Sequence, residues 1–178
     1  MNRIMVLGVS PGVGKSTFAR RLSDIIKINV YHLDTMYWKP GWIETSLDEF
    51  RSVQKKVVEN RQWIIEGNYT NTYEVRIEKA DTIIYLELPL YVCLYRVFKR
   101  FFQHIGKTRP DMTIGCDEKL DWKFIKFILT TYKNRKIVMR ERLDYFLKKD
   151  AQNKIVILKS KKEIQDYLDK LSLEYNKN

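Results

Sequence analysis

The sequence predicts an α/β fold, a five-stranded parallel sheet with helices on both faces. Two observations carry the prediction. Five short apolar runs are separated by stretches of helical periodicity. A glycine-rich run also sits directly between the first apolar run and the first amphipathic stretch. In folds of this kind ligands bind beyond the carboxyl ends of the strands, so polar residues there are the candidates for function.

The elements follow in order. Residues 3–7 read as a strand, 8–14 as a loop and 15–26 as a helix, in which Phe18, Ala19, Leu22, Ile25 and Ile26 recur at helical spacing. Residues 29–33 read as a second strand ending at Asp34, and 35–46 as a loop containing Pro40 and Gly41. Ser46, with Glu49 three positions on, marks a capping box and a helix to about residue 60. Residues 63–66 form a third strand ending in Gly67-Asn68, followed by a short helix over 71–79. Residues 82–88 form a fourth strand, and Pro89 opens a helix to about residue 104. A polar loop with Gly106, Pro110 and Gly115 covers 105–118, then a helical region with an expected break near Asn134 covers 119–149. Residues 154–158 are the fifth strand and 161–171 the last helix. The expected organisation is one domain over 1–178, with a basic helical region at 96–149 within it.

Composition narrows the function classes. With 178 residues, 44% hydrophobic and 13% aromatic, the chain can bury a sizeable core and is not of disordered type. No apolar run reaches the roughly 20 residues of a membrane-spanning helix, and residues 4–7 are too short for a signal-peptide core. A cytoplasmic location is the expectation. Cys93 and Cys116 lack zinc-site spacing and are read as packing thiols. The net charge is +11, and residues 96–149 hold 15 Lys/Arg against 6 Asp/Glu. That segment is expected to face something anionic: nucleotide phosphates, nucleic acid or another acidic partner.

The run Gly8-Val9-Ser10-Pro11-Gly12-Val13-Gly14-Lys15-Ser16-Thr17 is a phosphate-binding loop in its required strand-to-helix context. Backbone N–H groups of Gly12, Val13, Gly14, Lys15, Ser16 and Thr17 would cradle the phosphates of ATP at the positive end of a helix. Lys15 would bridge the β- and γ-phosphates, and the Ser16 hydroxyl would bind Mg²⁺. One departure stands out. The strict pattern places glycine six residues before the lysine, where this chain has Val9.

Together with Gly12–Thr17, the runs Tyr31-His32-Leu33-Asp34, Tyr37-Trp38-Lys39-Pro40-Gly41-Trp42 and Trp63-Ile64-Ile65-Glu66-Gly67-Asn68-Tyr69 make the chain resemble the adenylate-kinase-related P-loop proteins. Within these it is most similar to the DNA topology modulation (FlaR-related) proteins, over residues 3 to about 170. The resemblance implies a nucleoside-monophosphate-kinase-like sheet in the order 2-3-1-4-5, an acceptor-binding region after strand two, and a mobile lid. Asp34 then stands where an acid touches the acceptor or a Mg²⁺ water, or acts as general base, with turn capping as the plain alternative. Glu66 is placed to organise Mg²⁺ water, or is simply an exposed strand-end acid. Arg96, Arg100 and Arg109 fall where related kinases clamp the transferring phosphoryl group. Arg76 is a weaker candidate for holding an acceptor phosphate, against a surface salt bridge. Lys159 and Ser160 fall near the expected adenine edge. Trp38, Trp42 and Tyr69 either stack on a base or clip the loop to the core.

The leading expectation is an ATP-dependent kinase of adenylate-kinase-like type, using Mg²⁺ and a small nucleotide or nucleoside-like acceptor. The alternative is an ATP-dependent regulator of DNA topology that contacts DNA through 96–149, with Lys133, Arg135, Lys136, Arg140 and Arg142 as its second basic cluster.

Overall fold

The computed structural model describes residues 1–109 and 111–175; Pro110, assigned above to a loop, lies outside them. Seven strands and seven α-helices make up the fold among the described residues. The main sheet is built from β1 (Arg3–Gly8), β2 (Val30–His32), β5 (Trp63–Glu66), β6 (Thr82–Leu86) and β7 (Lys154–Leu158). Its order is β2-β5-β1-β6-β7 and all its pairs are parallel. Numbering these five alone gives 2-3-1-4-5, as expected.

The central strands explain why the sheet forms. Ile4–Leu7, Trp63–Ile65 and Ile83–Leu86 are buried along their whole length, so apolar side chains meet helices on both faces. On one side α1 (Lys15–Ile26) packs against α7 (Lys161–Tyr175), with Phe18, Ala19 and Leu22 buried on the core stripe. Ser160 and Glu163 cap α7 reciprocally: Ser160 Oγ accepts from the Glu163 N–H at 3.0 Å and Glu163 accepts from the Lys159 N–H at 2.8 Å.

Helix α3 (Leu47–Val58) opens as predicted, with Ser46 Oγ accepting from the Glu49 N–H at 3.3 Å. Only half of the box forms, because the Glu49 carboxylate takes Lys39 Nζ at 2.8 Å instead. Helix α5 (Leu90–Gln103) begins at Pro89, and α6 (Trp122–Lys149) runs 28 residues from its Asp121 cap. The expected break at Asn134 is absent. The propensity cost of one mid-helix Asn is below about 0.7 kcal/mol, and the buried Ile125, Ile128, Met139, Leu143 and Phe146 outweigh it.

Residues 35–46 are not a plain loop. After β2 the chain turns at once into α2 (Leu33–Tyr37), then forms a hairpin, β3 (Trp38–Lys39) and β4 (Ile43–Glu44). Asp34 therefore stands in the first turn of a short helix and not at a strand end. Gly41 and Trp42 both take left-handed backbone conformations (φ 79° and 63°) at the hairpin tip.

A short turn (Thr70–Thr72) leads into α4 (Tyr73–Ile77). Arg76 on α4 is 0% exposed, which excludes both of its expected roles. Its guanidinium donates to the carbonyls of Gly67 (2.8 Å), Tyr69 (2.7 Å) and Asn68 (3.4 Å), fixing the turn after β5. Burial pushes its pKa down to about 10. Arg76→Ala is expected to destabilise the chain by about 3 kcal/mol, because it leaves buried carbonyls unpaired and a cavity behind them. Urea unfolding reads the change; a midpoint equal to that of the parent would contradict it.

Candidate functional site

The carboxyl ends of β1, β2 and β5 open into a cleft of about 1530 Å³, lined from one side by the phosphate loop and α5 and from the other by the hairpin and the turn after β5. The loop's shape follows from its glycines. Gly12 (φ 79°) lies so close to α5 that an added Cβ would fall 2.3 Å from the Cys93 carbonyl oxygen. Gly14 (φ 100°) caps α1, and a Cβ there would meet Arg96 Nη1 at 2.8 Å. Gly12→Ala therefore combines left-handed strain with a backbone clash, and an expected loss of about 3 kcal/mol. A denaturation midpoint unchanged by this substitution would refute the packing.

Val9 is explained by the same geometry. Its backbone is not among the positive-φ positions, its side chain is fully buried, and its N–H donates to Leu86 O at 2.9 Å. The need for glycine has moved one residue back. A Cβ on Gly8 would fall 2.4 Å from Val13 Cγ1 and 2.9 Å from Lys15 Cγ.

Helix α1 opens with no side-chain cap and no acid in its first turn. Its first amides are thus left to an external anion, which suits a phosphate group. Beside them, Lys15 Nζ lies 3.8 Å from Glu66 Oε1, and Ser16 Oγ donates to Glu66 Oε2 at 3.1 Å. Glu66 is 4% exposed and also meets His32 Nδ1 at 3.0 Å, so it is not a solvent-facing strand end. Among the described residues no group of three His, Cys, Asp or Glu is placed to hold a metal ion by itself. A hydroxyl beside one carboxylate instead fits Mg²⁺, which keeps waters and takes substrate phosphate oxygens as ligands. Asn68 locks β5's turn to β1: its side chain accepts from the Gly8 N–H (3.0 Å) and donates to Gly8 O (2.7 Å).

Asp34 lies across from Lys15 and accepts from the Tyr69 hydroxyl at 2.7 Å. Burial, then the nearby Glu66 charge, raises its carboxyl pKa; Tyr69, Lys15 and Arg109 only partly offset this. Tyr69 is in turn held by Tyr37 and Phe50, with ring centroids 4.9 and 5.0 Å away. Trp38 and Trp42 meet edge to face at 5.3 Å, and both line the cleft.

The three predicted arginines all reach the cleft, and each is engaged. Arg96 donates to Val13 O in the phosphate loop. Arg100 Nε lies 2.7 Å from Glu118 Oε1, and Arg109 Nε 2.6 Å from Glu118 Oε2, so one buried carboxylate holds both. Arg109 also pairs with Asp111 at 3.0 Å. Asp111 and Glu118 escaped the sequence reading, although two acids inside so basic a segment were a usable signal. Burial alone would raise the Asp111 carboxyl, but Arg109 and the Ser16 hydroxyl outweigh it and hold the pKa below the usual range.

The same segment closes onto the hairpin and α2. Gly41 N–H donates to Gly115 O (3.0 Å), Trp42 Nε1 to Asp117 O (2.9 Å) and Thr113 Oγ1 to Thr35 O (3.2 Å). Cys116 is buried against Lys39 O, and Cys93 is buried in α5. In the second basic cluster, Lys136 pairs with Glu87 at 3.0 Å, Arg135 covers the Phe127 ring and Arg142 covers Tyr73. These three are spent within the chain. Lys159 and Ser160, at the α7 cap, are not among the residues lining the cleft.

No family model matches the chain, and no curated protein matches it in sequence. Solved structures do. A shikimate kinase from Acinetobacter baumannii in complex with shikimate aligns with TM-score 0.55 at 14% identity, over 100% of this chain and 96% of that one. A deoxyadenosine kinase from M. mycoides with bound dATP aligns with TM-score 0.54 at 16% identity, over 96% and 99%. A gluconokinase from Sinorhizobium meliloti 1021 aligns with TM-score 0.52 at 13% identity, over 99% and 94%. The P-loop kinase-like fold is thereby shown; the narrower likeness to DNA topology modulation proteins is not. No helix among the described residues is long and apolar enough to cross a membrane.

Proposed function

We propose that the chain is an ATP-dependent phosphotransferase acting on a small molecule that carries a hydroxyl group. The observation that carries the reading is the opposition of Lys15 and Ser16 to Asp34 across one cleft, with arginines from a third segment beside them. The names of its structural neighbours agree with it: all three are small-molecule kinases.

The phosphate loop and Lys15 bind the donor phosphates of ATP. Ser16 and Glu66 would hold Mg²⁺, which when bound neutralises phosphate charge. Asp34 accepts the acceptor's hydroxyl proton as that oxygen bonds to the γ-phosphorus. The bond from the γ-phosphorus to the bridging oxygen breaks, and its electron pair leaves with ADP. Arg96, Arg100 and Arg109 face the equatorial oxygens, where charge spreads during transfer. For this, Arg100 and Arg109 exchange Glu118 for phosphate. The 105–118 segment, latched to the hairpin, serves as the lid within the 96–149 region, and excludes water.

The test is a panel of alcohols, nucleosides and nucleotides under saturating Mg·ATP, read as acceptor-dependent ADP release. Turnover with at least one acceptor supports the reading. No release above the acceptor-free rate across the panel would remove it.

A further inference from the structure

The two walls of the cleft differ in charge. Every Lys and Arg that lines it comes from the phosphate loop, α1, α5, the 105–118 segment, its Lys119 flank or α6. The facing wall, residues 34–71, contributes Asp34, Glu44 and Glu66 and not one cation. The cations of that stretch are turned elsewhere: Lys39 pairs with Glu49 at 2.8 Å and Arg51 with Glu74 at 3.1 Å. Arg76, behind the wall, is consumed by three carbonyls. An acceptor already bearing a phosphate would set its dianion against these carboxylates, and the nearest cleft-lining guanidiniums are already taken, Arg109 by Asp111 and Glu118 and Arg142 by the Tyr73 ring.

The wall offers something else. Trp38 and Trp42 stand side by side, half-buried, at the mouth of the hairpin. Trp42 is fixed there in a left-handed backbone conformation by its bond to Asp117 O, with Lys119 Nζ 5.6 Å from its ring centroid. Rings on the same cleft wall as the Asp34–Tyr69 carboxylate-hydroxyl pair match a ligand with a flat face at one end and an alcohol at the other.

We infer that the acceptor is an unphosphorylated nucleoside-like alcohol, bound with its ring against Trp38 and Trp42 and its hydroxyl at Asp34, and that nucleoside monophosphates are excluded. This rests on the phosphotransferase reading, but binding tests it without turnover. The full chain is saturated with Mg²⁺ and a non-hydrolysable ATP analogue. It is then titrated calorimetrically with nucleosides, their 5′-monophosphates and simple polyols.

Nucleosides are expected to bind about 100-fold more tightly than the matched monophosphates. Trp38→Ala is expected to weaken nucleoside binding about tenfold or more while the ATP analogue still binds. Glu44→Arg, which puts a cation into the bare wall, is expected to narrow the gap between nucleoside and monophosphate. Monophosphates binding as well as nucleosides would overturn the inference, as would polyols matching them or no binding by any class. If nucleosides bind as expected and none is phosphorylated, the assignment of the wall as a nucleoside-binding surface stands and the phosphotransferase reading falls.

Discussion

Lys15→Ala is expected to lower kcat/KM for acceptor phosphorylation by about 10³-fold, the scale of losing one preorganised charge at the transition state. The Lys15 side chain lies along Gly8 and Val13 and ends beside the buried Glu66. It is thus fixed over the loop before any substrate arrives, and no other lysine comes from the loop itself. Removing it also takes from Glu66 its one lysine partner among the described residues. The fold should survive, since Lys15 makes no contact on which the sheet depends; circular dichroism and an unfolding midpoint serve as the control. A folded variant that keeps more than about a tenth of the parental rate would contradict the assigned role.

Asp34→Asn is expected to cost about 10²–10⁴-fold in kcat/KM, the range for loss of a general base. Asn keeps the acceptor for the Tyr69 hydroxyl but cannot take the proton. In the parent chain the acid limb of the pH–rate profile should lie above the range of an ordinary aspartate, because burial and Glu66 raise this carboxyl. The effect on stability has the opposite sense. A carboxyl whose folded pKa lies above its unfolded value binds more protons in the folded state through the window between the two. Stability therefore falls as pH rises through that window, and the ionised form is a net burden above it. Asp34→Asn should accordingly raise the unfolding midpoint at neutral pH while abolishing most of the rate. An inactive variant that is also less stable than the parent would point to a structural aspartate instead.

Much of this site was legible in the sequence because its parts are local. The strand-loop-helix phosphate site needs only neighbours in the chain, and the three central strands are buried, continuous apolar runs, so the sheet order needed only the family resemblance. What escaped was short or distant. Two-residue strands such as Trp38–Lys39 and Ile43–Glu44 are too brief to show alternation, so the hairpin read as a loop. Arg76 looked like any helical arginine, since nothing local reveals that the backbone carbonyls of Gly67 to Tyr69 turn toward it. The Glu118 clip joins residues 9 and 18 positions away, and Asp111 reaches back to Ser16 across most of the fold. Pairings of that kind are decided by packing.

Gly12 touches Cys93, which lies three residues before Arg96 and seven before Arg100 on the same helix. A rigid rod that rests on the floor of the anion cradle at one point must carry its cationic teeth at set distances from that floor. Donor seat and clamp are thus gauged by a single abutment, where the absent methyl of one residue sets the spacing. Drift in either would misalign both.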